Sequence, residues 1–166
     1  MKLYFVVGDK TSKSLSPLIF NHWFKKYKIL AKYTYVEVSK SNFEKVLKKN
    51  LLNKKVCGFN VTIPYKKLII KLLDSQNSHS KKIGAVNCVT INKKKTGINT
   101  DWIGFLNSIK SEKIKKQNTI LILGYGGAAQ AIYYGFSARG FKNVIVFNRS
   151  KKAIKPNYPK KFTKKY

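Results

Sequence analysis

Residues 119–129 read Thr-Ile-Leu-Ile-Leu-Gly-Tyr-Gly-Gly-Ala-Ala, and no other stretch limits the fold so tightly. Thr119 to Leu123 is a continuous apolar run. Such a run suits a strand in a parallel sheet covered on both faces. The glycine turn follows at once, and a helix is predicted from about Gly127 to Arg139, closed by Gly140. A second strand, Asn143 to Phe147, completes a βαβ unit. Gly124 permits the tight turn, Gly126 lets a backbone approach a pyrophosphate, and the small Ala129 takes the position where helix and strand pack closely. The helix N-terminus offers N–H groups to phosphates. After the second strand come Asn148, Arg149, Ser150 and Lys151, with no carboxylate to accept from a ribose 2′-hydroxyl. Arg149 suits a 2′-phosphate, so the pattern favours NADP over NAD.

The chain before this unit predicts a different domain. Leu3 to Val7 is a buried strand ended by Gly8-Asp9. A helix is predicted from Pro17 to Tyr27, with Ser16 as N-cap and Leu18, Phe20 or Asn21, and Phe24 facing inward. Thr34 to Val38 alternates as a strand, and Asn42 to Leu52 is an amphipathic helix with Phe43, Val46, Leu47 and Leu51 on one face. In Gly58 to Lys66, Phe59, Val61 and Ile63 alternate with Asn60 and Thr62. Pro64 then ends the pairing, and Lys66 follows where a short turn aims its ammonium at the polar pair. Lys67 to Leu73 reads as a short helix, Asp74 to Ser80 as a polar patch, and Val89 to Ile98 as a hairpin across Asn92 to Lys95. Asn87 and Asp101 end strand-like runs, and Asp101 is one of six acidic residues. Its alternative role is the N-cap of a helix from Trp102 to Ile109. Ser14 and Ser16 put two hydroxyls just beyond the first strand, where open α/β sheets bind ligands. The polar run Ser111 to Asn118 marks a boundary, giving domains 1–110 and 119–166.

Composition narrows the classes. The formal charge of +29 invites a nucleic-acid reading. Against it, only Arg139 and Arg149 are arginine, and the lysines are spread along the chain. Heavy use of Lys, Asn, Ile, Tyr and Phe points to A/T-rich codons. Cys57 and Cys88 are the only cysteines, and no secretory signal or membrane span is read, so a reducing cytoplasm is expected. His22 and His79 stand apart without metal-ligand spacing, so no metal is expected.

Six motifs in order carry a family resemblance. They are Gly8 with Ser14-Leu15-Ser16-Pro17; Gly58 to Lys66; Gly84-Ala85-Val86-Asn87; Gly97 to Gly104; Gly124 to Ala128; and Asn148-Arg149-Ser150. Together, over about residues 3–152, they resemble the shikimate dehydrogenase family. The resemblance implies an α/β fold: a substrate domain with a mainly parallel sheet, then a partial Rossmann-type NADP-binding domain. It implies NADP-dependent, reversible reduction of 3-dehydroshikimate to shikimate on the way to chorismate and the aromatic amino acids. By motif position Lys66 and Asp101 are the catalytic pair, and Ser14, Ser16, Asn60, Thr62 and Asn87 join them in holding the substrate. Gly124, Tyr125, Gly126, Gly127 and Ala128 take the pyrophosphate, and Asn148, Arg149 and Ser150 the 2′-phosphate side. Lys10 and Lys13 replace a usual proline and histidine, Cys88 a common threonine, and Tyr125 a small residue. A full cofactor sheet of about six strands is expected of the family, and only two are read here, so the chain is expected to be C-terminally truncated with impaired activity. The alternatives are a quinate/shikimate dehydrogenase using NAD, a non-catalytic shikimate-binding remnant, and a basic nucleic-acid-associating protein.

Overall fold

A computed structural model describes residues 1–51 and 54–148. The described residues form two compact units: those of 1–81 with 86–98, and residues 82–85 with 99–148. Residues 99–110 fall in the second of these units.

The first unit is built on a six-stranded sheet. In chain order its elements are β1 (Lys2–Gly8), α1 (Ser16–Lys26), β2 (Ala31–Glu37), α2 (Phe43–Leu51), β3 (Val56–Val61), a 3-10 turn (Leu68–Leu72), β4 (Ser75–Gln76), α3 (Ser78–Ile83), β5 (Cys88–Ile91) and β6 (Lys95–Ile98). The strand order is β2-β1-β3-β5-β6-β4. β1 runs parallel to both β2 and β3, and β4 parallel to β6, while β5 is antiparallel to β3 and β6. Consecutive Phe5, Val6 and Val7 are all buried, so β1 is covered on both faces. Phe5 stacks on Phe59 at 4.9 Å. Helix α2 lays Phe43 and Leu47 into this core as its periodicity predicts, with Val46 and Leu51 beside them.

Three local expectations change. Helix α1 begins one residue early, so Ser16 is its first residue and not its cap. Leu18 is exposed instead of inward, because Phe20 and Phe24 supply the face turned to Tyr33 and Tyr4. Ile63 leaves the alternation of β3 and is 74% exposed, since the chain turns at Pro64 after the strand ends. The polar patch at 74–80 holds β4 and the start of α3, which paired backbone and an Asn77 cap build without apolar periodicity.

The second unit contains α4 (Asp101–Ser108), β7 (Ile120–Leu123), α5 (Gly127–Ala138) and β8 (Val144–Phe147). β7 and β8 pair in parallel, giving the expected βαβ unit. Leu106, Ile122, Tyr133, Phe136, Val144 and Val146 form its core. Gly135 lets α4 approach α5: a Cβ there would lie 3.1 Å from Leu106. The expectation of a strand covered on both faces fails here. Ile122 is buried, but Leu121 is 60% and Leu123 75% exposed, because the described helices cover one face of this two-stranded sheet. Among the described residues no helix is long and apolar enough to cross a membrane, and no three His, Cys, Asp or Glu side chains cluster as metal ligands. Both cysteines are unpaired.

Candidate functional site

The first unit opens a cleft of about 320 Å³ at the C-terminal ends of parallel β1 and β3. Ser14, Ser16, Asn60, Thr62, Lys66 and Asn87 all line it, with Val6, Lys10, Thr11, Phe20 and Val61. Six residues singled out in the sequence are therefore brought together. Asp101 belongs to the second unit and is described with it.

Each wall has a local cause. Thr62 continues the β1 pairing by donating its N–H to the Val7 carbonyl at 2.9 Å. Gly8 is needed where these segments meet, since a Cβ there would lie 2.4 Å from Thr62 Cγ2 and 2.7 Å from Thr11 Cγ2. After the Ile63–Pro64 turn, Tyr65 drops into the core and Lys66 returns to the cleft. The Lys66 carbonyl is held at 2.8 Å by the N–H of Val86. Asn87 is clamped through its backbone: its N–H donates to Ile98 and its carbonyl accepts from Val61. The serine loop is tied at both ends. Ser14 Oγ accepts from the Ser16 N–H at 3.2 Å just before α1, whose cap position is Leu15 and not Ser16. Ser12 donates twice to Glu37 at the end of β2, and these bonds hold that carboxyl below its ordinary range. Thr11 and Phe20 were missed as lining residues. Thr11 sits in a polar loop, where sequence alone does not distinguish a buried threonine from an exposed one.

In the second unit, Asn99 is buried and fixes the start of α4. Its Nδ2 donates to Ala85 and its Oδ1 accepts from the Asp101 N–H, both at 3.0 Å. Asp101 is therefore the first helical residue and not the cap, and its charge suits the helix N-terminus. The glycine turn behaves as expected at Gly124, whose φ of +94° favours glycine. Gly126 has ordinary dihedrals, and a Cβ there would meet none of the described residues within 4 Å. Neither backbone conformation nor protein packing calls for glycine at that position; the close approach of a phosphate would. Among the described residues no side chain caps α5. Gly127 and Ala128 form its first turn. Tyr125 turns its ring into the core, and burial raises its pKa, so its hydroxyl stays protonated. Asn148 follows β8. Arg149 and Ser150 lie outside the described residues.

The chain thus combines a mostly parallel α/β sheet, bearing a polar cleft at its strand ends, with a strand–glycine turn–helix unit. Residues 6–89 match the family described as the shikimate dehydrogenase substrate binding domain, and the chain belongs to that family. It is 43% identical over 157 residues to the NADP(+) shikimate dehydrogenase of Aquifex aeolicus, a match covering 93% of this chain and 58% of that protein. A crystal structure of Aquifex aeolicus shikimate dehydrogenase aligns with TM-score 0.84 and 40% identity, over 92% of this chain and 57% of that one. The Thermus thermophilus enzyme, solved with NADP(H) and shikimate, aligns with TM-score 0.80 and 29% identity, over 90% and 57% of the two chains. The chain thus spans somewhat more than half the length of the relatives it matches.

Proposed function

We propose that this chain carries the substrate half, and the first part of the cofactor half, of an NADP-dependent shikimate dehydrogenase serving aromatic amino acid synthesis. The observation that carries this reading is the convergence of Ser14, Ser16, Asn60, Thr62, Lys66 and Asn87 on one cleft. Residues 1–110 act as the substrate and catalytic domain, and residues 119–166 as part of a Rossmann-type domain. The unpaired cysteines suit a cytoplasmic setting.

Bound NADP would exchange a hydride with the ring carbon that bears the reacting oxygen. The protein handles the proton. Lys66 sits beside that hydroxyl, takes its proton in one direction and returns it in the other. Asp101 keeps the second catalytic role that family membership suggests. Hydroxyls and amides of Ser14, Ser16, Asn60, Thr62 and Asn87 hold the substrate's hydroxyls and carboxylate, and such a set rejects analogues lacking one of them. Gly124 to Ala128 would hold the pyrophosphate, as the open space at Gly126 suits. Asn148, Arg149 and Ser150 would face the 2′-phosphate.

The test is titration calorimetry of the purified chain with shikimate, then shikimate plus NADP⁺ followed by nicotinamide absorbance. Binding and turnover slower than that of full-length relatives are expected. In any measurable turnover, Lys66→Met should lower kcat by roughly 10²–10⁴-fold, the usual share of acid–base catalysis. Absence of both shikimate binding and turnover would overturn the reading.

A further inference from the structure

Tyr33 does not line the cleft but meets two residues that do, Phe20 and Asn60. It is 3% exposed and lies on β2, at the edge of the sheet. Its ring stacks on Phe20 with centroids 4.6 Å apart and planes 6° from parallel. Asn21 of α1 clamps its backbone: Asn21 Nδ2 donates to the Tyr33 carbonyl at 2.8 Å, and the Tyr33 N–H donates to Asn21 Oδ1 at 2.9 Å. Ring and main chain are thus both fixed, which aims the hydroxyl.

The hydroxyl lies 2.7 Å from Asn60 Oδ1, and Asn60 Nδ2 lies 3.2 Å from the Asn87 carbonyl. The direction of every proton is then set. A carbonyl can only accept, so the Asn60 nitrogen must face Asn87. Oδ1 then faces Tyr33, whose hydroxyl must donate. An asparagine amide carries two N–H donors. One goes to Asn87, and the other remains for a ligand oxygen in the cleft that Asn60 lines. Without the tyrosine hydroxyl, half of the constraint on the amide is gone.

We propose that Tyr33 is a positioning residue for ligand binding: by donating to Asn60 Oδ1 it holds the Asn60 amide with an N–H toward a hydroxylated carboxylate in the cleft. This rests on the cleft being a shikimate site. A neutral tyrosine is what the role needs, and burial keeps Tyr33 protonated well above its ordinary range.

The experiment is a double-mutant cycle on the full chain, with shikimate affinity read by titration calorimetry and folding by thermal melting. Tyr33→Phe should weaken shikimate binding about fivefold to tenfold, the scale of one buried hydrogen bond. In an Asn60→Ala background the same change should cost nothing further, a result that a purely structural tyrosine would not give. Equal affinity of Y33F and wild type, or an equal loss in both backgrounds, overturns the assignment while leaving the shikimate site standing. If Y33F does not fold, Asn60→Asp decides. It still accepts from Tyr33 but has no donor left, so it should bind as poorly as N60A; wild-type affinity in N60D overturns the assignment. No binding by the folded wild-type chain overturns the function reading itself and this role with it.

Discussion

Strands β1 and β7 read alike in sequence, as short unbroken apolar runs, yet they end in different surroundings. In β1, Phe5, Val6 and Val7 are all buried, while in β7 only Ile122 is. The difference lies in what flanks them. β1 is the second strand of a six-stranded sheet, with β2 on one side and β3 on the other. Among the described residues β7 has one partner strand, and its apolar residues alternate between a packed face and an open one. An apolar strand is a statement about how many layers it can join, and tertiary context decides how many it does. The chemistry obeys the same division: the polar cleft forms where β1 and β3 are fully supported.

The two tryptophans allow the units to be followed separately, since Trp23 lies in the first and Trp102 in the second. The largest change is expected from Leu47→Ala in the first unit, where Leu47 is fully buried. Loss of such a side chain costs about 2–5 kcal/mol through transfer and cavity terms. Denaturant unfolding of a Trp102→Phe background, read at Trp23, should show it. A loss below about 1 kcal/mol would mean that the first unit is looser than its packing shows, since removing a leucine side chain from a packed core costs at least about 2 kcal/mol. Gly8→Ala should come next. Its Cβ would press on Thr62 Cγ2, Thr11 Cγ2 and the Ile63 carbonyl. Overpacking of this kind costs roughly 1–3 kcal/mol. Because Thr62 lines the cleft, shikimate affinity should fall as well. Unchanged stability with unchanged binding would break the link between the strand ends and the site.

How much of the molecule was legible in the sequence depends on the range of the signals. β1, β3, the β5–β6 hairpin and the βαβ unit announce themselves through local patterns of apolar residues and turns. The core face of α2 does so through its period. The cleft residues are separated in sequence but lie on β3, at the start of α1 or in the loops beside the strands, and their motifs point to them. Features made by partners distant in sequence were hidden. β4 holds Ser75 and Gln76, which no propensity favours; their register with Thr96 and Gly97 makes the strand. A usable signal was present for α3, because Asn77 accepts from the Ser80 N–H as a cap. The Tyr33–Asn60 bond joins residues 27 apart and has no local signature. The open face of β7 was misjudged because periodicity reports apolar residues and not what covers them.

The smallest expected effect is the sharpest test of that open face. Leu121→Lys and Leu123→Lys replace residues that are mostly exposed. Each should change stability by less than about 0.5 kcal/mol, as surface substitutions do. A lysine stem can lie along the remaining apolar surface while its ammonium stays in water. The added charge should also reduce self-association, since an uncovered apolar strand is a site for unwanted contacts. Ile122→Lys is the matched control, because Ile122 is buried in the same strand and should not tolerate a charge. Unfolding read at Trp102, in a Trp23→Phe background, with light scattering for association, gives both answers. If the two leucine variants lose stability as Ile122→Lys does, the outer face of β7 is covered in solution. The contrast between β1 and β7 would then be one of partners, not of layers.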